Sequence, residues 1–283
     1  MIRTVSAWIY LNKTQAFLVI TNTLYPTMWA TFWYRWSCHT LHVRWFILLF
    51  WSSVLQDVLE QQQAHTLPAL AAELDIPNLV ALTWHFLFDQ YHPDDNCDPT
   101  EIPLSDCPHY DGHIHIYNSA CAHFFAPSDL SGSSGMQKEF IHSTPLRRKE
   151  CCWRDCVFVT TNTDDLEATG MDAFDVTHIL TFFTFTSQDG RHFPWTVVQW
   201  FDKIGDSPNE DTGMWMVCPA YLPNHSPNYT VIHLDSIYYA AHLIPVYGMD
   251  HISYKIKHHN CYNVFHAFYV NKYVDHHTFE IVS

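Results

Sequence analysis

The chain has 283 residues, 48% hydrophobic and 16% aromatic, which excludes a disordered tail and supplies enough apolar surface for a sizeable core. Its formal net charge is −15, spread so that the first 56 residues carry +4 with no Asp or Glu and the remainder −19. An acidic body argues against a general nucleic-acid binder, because phosphates are held by Lys and Arg, although a local basic patch stays possible. Nine cysteines at irregular spacing form no disulfide framework, so reduced thiols in an intracellular compartment are expected.

In chain order, residues 1–56 form a hydrophobic first region that holds six of the eleven tryptophans. Within it, "RWFILLFWSSVLQ" (Arg44–Gln56) has an apolar core of about 11 residues, short of the ~20 that a spanning helix needs. "QAFLVITNTLYPTMWATFWYRW" (Gln15–Trp36) is longer but is broken by Thr, Asn and Pro26. A secretion signal would need a clean apolar stretch where Asn12, Lys13, Thr14 and Gln15 stand. Two readings of this region stay open. One is membrane association, and the other is a non-native stretch, an intron or flank read as the start of the chain.

Residues 57–150 read as helical and loop-rich. A first helix ends near His65, Pro68 starts a short second one, and Pro77 opens a third at a first-turn position, where its missing donor costs nothing. Leu79, Leu82, Phe86 and Leu87 follow at helical spacing. "GHIHIYNSACAHFFAP" (Gly112–Pro127) alternates as one strand, Ile114 and Ile116 on one face and His113 and His115 on the other. Residues 151–250 read as β-rich. "DCVFVTT" is a strand, "FDVTHILTFFTFTS" and "RHFPWTVVQWFDKI" form a hairpin about "QDG", and "GMWMVCP" and "NYTVIHLDSI" are two more strands. "YYAAHLIPVYG" reads as a short helix or turn that closes this module. Residues 251–283 read as a helical tail, from the spacing of Phe265, Phe268, Tyr269 and Tyr273. The fold class expected is therefore α+β: a helical N-terminal part, then a small C-terminal module resembling a barrel or sandwich.

The densest ligand-like stretch holds Cys107, His109, Asp111, His113, His115, Cys121 and His123, but it lacks the paired short spacings of a zinc module. In "CCWRDC" (Cys151–Cys156), the nearby Arg147, Arg148 and Lys149 would lower a thiol pKa, yet Cys156 opens a strand that points into a core. No phosphate-binding glycine loop, nucleophile elbow or His-Glu-x-x-His helix occurs. We therefore expect no catalytic residue, no metal and no cofactor. One binding arrangement is chemically sensible: Trp195, Trp200, Phe201 and Trp215 near strand ends, beside the acidic loop of Asp206, Glu210 and Asp211. Such a groove would take a basic or methylated lysine side chain from a peptide or chromatin protein. Against it stands the plainer reading of core aromatics beside a solvated hairpin loop, since Pro208, Asn209, Asp211 and Gly213 are all turn formers.

Several long phrases carry a resemblance. "FPWTVVQWFDKIGDSPNEDTGMWMV", "VIHLDSIYYAAHLIPVYG" and "FHAFYVNKYVDHHTFEI" resemble the C-terminal region of proteins encoded by Plavaka-type DNA transposons of mushroom-forming fungi. "YNSACAHFFAPSDLSGSSGMQKEFIHSTP" and "DCVFV" look like the segment upstream of it, so the likeness runs from about Leu67 to Ser283 in unchanged order. Those proteins are far longer, and the resemblance implies that their strand-transfer chemistry belongs to an acidic, metal-holding core upstream of this region. Nothing here corresponds to that core. The resemblance implies a C-terminal fragment inactive in strand transfer by itself, in an intracellular, nuclear setting. A stand-alone interaction module and a membrane-anchored protein are the alternatives.

Overall fold

The computed structural model describes residues 64–93, 98, 101–126, 136–147, 151–161, 170–187, 189–248, 252, 255–257 and 260–283, with the backbone of 9–12, 15–18 and 48–49. The apolar runs of the first 56 residues, the basic residues Arg148 and Lys149 and the expected turn at "SDLSGSSGM" lie outside it, apart from those short backbone stretches and Met136. The chain divides into two compact units, Met1–His42 and Val43–Ser283. In the first, β1 (Ile9–Asn12) and β2 (Gln15–Leu18) pair as an antiparallel hairpin. No helix among the described residues is long and apolar enough to cross a membrane.

The second unit is α+β and mostly sheet. Its first strand, β3 (Leu48–Leu49), is followed by α1 (Leu67–Leu74), where Thr66 caps the helix by accepting from the Ala69 N–H at 3.4 Å. Pro68 occupies the first turn of α1, as expected. In α2 (Leu79–Tyr91) the cap is Asn78, so Pro77 lies just ahead of the helix rather than in its first turn. The stretch read as one strand is two, β4 (His115–Tyr117) and β5 (Ser119–Phe125), divided at Asn118. Ile114 is buried while His113 and His115 face solvent, so the alternation itself holds. β6 (Met136–Arg147) and β7 (Cys151–Arg154) complete a four-stranded antiparallel sheet in the order β3-β5-β6-β7.

The remaining strands build a nearly closed barrel: β8 (Cys156–Thr160), β9 (Phe174–Thr186), β10 (His192–Lys203), β11 (Met216–Pro219), β12 (Tyr229–His233), β13 (Ile237–Ala241), β14 (Leu243–Pro245) and β15 (Phe268–Val270). Their order is β13-β8-β9-β10-β11-β15-β14, antiparallel throughout. Only His242 separates β13 from β14, so the first and last strands of that order are one continuous stretch. The sheet thus returns on itself. β4 pairs with the far end of β9, and β12 with the middle of β10.

"YYAAHLIPVYG", read as a helix or turn, is the seam of the barrel, β13 and β14. The helical spacing of Phe265, Phe268 and Tyr269 is a coincidence of short elements: α3 (Cys261–Val264) is a single turn, and Phe268–Val270 is strand β15. The reason is non-local, since β15 pairs with β11 and β14, and a three-residue strand is too short to show its period. The tail ends in α4 (His276–Val282).

Three apolar clusters hold the unit together. Leu67, Leu70, Leu79 and Leu87 of the helices pack on Phe183, Phe185, Trp195 and Val197. Phe158, Val176, Phe201, Val217, Phe268 and Val270 fill the barrel. Ala120, Ala122 and Ile141 of the four-stranded sheet meet Val157, Ile179, Phe182 and Val198. β9 and β10 are covered on both faces, which is why their sequences are nearly continuous apolar runs rather than alternating ones.

Candidate functional site: an acidic hairpin loop and the aromatic tail

The stretch that follows β10 is a hairpin loop, closed where the Ile204 N–H donates to the Met216 carbonyl at 2.8 Å. Asn209 organises it. Its side-chain oxygen accepts from the Thr212 N–H (3.1 Å) and hydroxyl (3.0 Å), and its carbonyl accepts from the Gly213 N–H at 2.7 Å. Gly213 has φ +64°, which an L side chain rarely adopts, so glycine is required where the chain turns back into β11. Asp206, Glu210 and Asp211 are exposed, and none forms an ion pair among the described residues.

Against this loop lies the lead-in to α4. Asp275 caps the helix by accepting from the Thr278 N–H at 2.7 Å, and its other oxygen accepts from the Tyr239 hydroxyl of β13 at 2.8 Å. Just before the cap, Tyr273 donates its hydroxyl to the Thr212 carbonyl at 3.2 Å and so ties tail to loop. A Cβ on Gly213 would stand 3.4 Å from that hydroxyl and 3.7 Å from Lys272 Nζ. Tyr273 is 59% exposed and Phe279 44%, and their ring centroids are 6.0 Å apart. Lys272 Nζ lies 5.6 Å from the Tyr273 centroid and 5.3 Å from that of Phe279, within range of a cation–π contact with both. A positive charge therefore already rests on this aromatic pair, beside a loop with three exposed carboxylates.

The tryptophans expected to line the groove do not converge. Trp195 has no exposed surface and is ringed by Phe86, Phe185 and Phe193 at 4.8–5.3 Å, so no partner can reach it. Trp215 is half-buried against the barrel cluster, and Phe201 is buried within it. Trp200 is half-buried on the third cluster, its indole N–H donating to Thr230 Oγ1 at 2.6 Å. It does border an open cavity of about 480 Å³, with Thr161, Asp175, Asp202, Lys203 and Asn228. The three indoles belong to three separate clusters, because Trp195 and Trp200 lie five residues apart on opposite faces of β10 and Trp215 just ahead of β11. The acidic half of the expected site stands at the surface, but the aromatic half beside it comes from the tail. Helical spacing alone does not place Tyr273; the signal that could have found it is the N-cap Asp275 two residues on, which starts the helix later and leaves the tyrosine at the surface.

The other attractive clusters resolve as follows. His113 stacks on His65 (4.9 Å) and meets His115 (4.7 Å), and partial desolvation of this exposed ring, with the two neighbouring imidazoles, holds it below the ordinary histidine range. No group of three or more His, Cys, Asp or Glu among the described residues has metal-binding geometry. Cys156 is buried opposite His178 across β8 and β9, and burial pushes its thiol far up, the reverse of a reactive thiolate. The same environment, with Arg154 nearby, pushes His178 down to about 4. No family model matches the chain, and neither a curated protein nor a solved structure does.

Proposed function

We propose that the chain is a binding module that takes a basic segment of a partner protein on the surface formed by Asp206, Glu210, Asp211, Tyr273 and Phe279. The observation that carries this reading is Lys272, whose ammonium rests over both rings and does internally what a partner's lysine or arginine would do. A cation on an exposed ring is worth about 0.5–1 kcal/mol, and each exposed ion pair about 0–1 kcal/mol, weakened by salt. Binding through this surface is accordingly modest and salt-sensitive. The order of phrases from Leu67 to Ser283 supports placing the module at the C-terminal end of a Plavaka-type transposon protein, in the nucleus, where it would hold a partner rather than perform strand transfer.

The test is fluorescence anisotropy with a labelled Lys/Arg-rich peptide at low and at raised salt. Tyr273→Ala with Phe279→Ala should weaken binding about five- to thirtyfold, and Glu210→Lys with Asp211→Lys should remove its salt dependence. The open cavity beside Trp200 supports a second reading, because Asp175 and Asp202 flank an indole there. If Trp200→Ala abolishes binding while the tail variants bind normally, the cavity is the site and the tail reading is wrong.

A further inference from the structure

Glu139 stands on the same side of β6 as the fully buried Ile141, while its neighbours Lys138 and Phe140 face solvent. A carboxylate on the inner face of a strand is expensive unless it is hydrogen-bonded. Its Oε2 accepts from the Ala240 N–H of β13 at 3.2 Å, which joins the four-stranded sheet to the barrel seam. The preceding seam residue, Tyr239, donates its hydroxyl to Asp275 at 2.8 Å, which joins the seam to the cap of α4. Beside Tyr239 sits His277, 6% exposed, its ring stacked on Phe124 of β5 (4.9 Å) and edge-on to Tyr239 (5.2 Å). Its Nε2 is buried and makes no hydrogen bond among the described residues. β6, β13 and α4 thus meet through titratable groups, with Phe124 of β5 packed against them.

We propose that this cluster is a pH-responsive clasp, fastening α4 and the four-stranded sheet to the barrel seam when Glu139 is protonated and loosening when Glu139 ionises. The groups facing Glu139 are Asp275 from the α4 lead-in, Asp155 between β7 and β8, His142 on β6 and Tyr239 on β13. Two are carboxylates, and His142 is engaged with Asp155 at 2.9 Å. Burial pushes Glu139 up to about 7, the Ala240 N–H opposes this, and Asp275 and Asp155 add to it. Tyr239 is driven well above the tyrosine range, first by burial and then by Glu139, so it remains a donor.

The sign follows from linkage. Between the ordinary value of 4.5 and about 7 the fastened state holds more protons than the loosened one, so fastening weakens as pH rises through that window. His277 acts oppositely. Burial holds it below 6.5 although the facing carboxylates Asp275 and Glu280 oppose this, so protonating it loosens the clasp as pH falls through its lowered value. The two groups bracket the range in which the clasp is closed.

Hydrogen exchange of the α4 amides in the full chain, corrected for intrinsic rates, reads the clasp directly. From pH 6 to pH 8 the opening equilibrium should rise several-fold in the native chain, the Glu139 contribution being partly offset by His277, and should not rise in Glu139→Gln, which keeps the hydrogen bond without the charge. A flat native profile, or an equal rise in Glu139→Gln, overturns the proposal. Should Glu139→Gln fail to fold, Asp275→Asn serves instead. Removing one facing charge should shrink the rise, and an unchanged rise overturns the proposal.

Discussion

The β9–β10 hairpin and the β13–β14 seam belong to one barrel but are specified in different ways. The hairpin pairs along ten positions across a short turn, with aromatic and β-branched residues covered on both faces. The seam pairs at one end with β8, some eighty residues earlier, and at the other with β15. Local pairing writes itself into local sequence. Distant pairing does not, and the seam residues are read correctly only once their partners are known.

The largest effect is expected at the hairpin's centre. Trp195→Ala leaves a large cavity among Phe86, Phe185 and Phe193 and should cost about 3–5 kcal/mol in denaturant unfolding. A loss below about 1 kcal/mol would mean the helical layer does not lean on this residue. The seam is sharpened by Val270→Ala, which removes two buried methyl groups where β15 meets β14 and should cost ~2 kcal/mol. If the seam is what closes the barrel, this substitution should also speed exchange of β13 and β14 amides while sparing β9 and β10. The smallest effect belongs to the cap that pins α4 to the seam: Asp275→Ala should cost about 1 kcal/mol, read as a lower melting temperature. An effect confined to α4 exchange, with the melting temperature unmoved, would show that the helix frays independently of the barrel.

What the sequence made legible follows the same division. The helices were readable because Thr66, Pro68 and the spacing of Leu79, Leu82 and Leu87 are local signals. The "QDG" hairpin was readable because Asp189 and Gly190 mark a turn between two apolar runs. The acidic loop was readable as a hairpin tip for the same reason. The aromatic half of the candidate site was not. Whether an indole points into a core or out of it depends on which sheet covers its strand, and β10 is covered by helices on one side and by the four-stranded sheet on the other. Tyr273 reads as part of a helical spacing with Phe265, Phe268 and Tyr269, and Phe279 carries no local signal; both stand at the surface because Asp275 starts a new helix between them.

The single stretch that forms both ends of the sheet has a kinetic consequence. β8 and β11 each wait for a partner that lies far along the chain, so the barrel has a high contact order and should fold slowly for its size. Until residues 237–245 and 268–270 arrive, both strands present unpaired backbone donors and acceptors flanked by Phe158 and Val217, the kind of edge on which another chain can add. The same stretch that closes the barrel in the native state thus governs how long its precursor is open to aggregation.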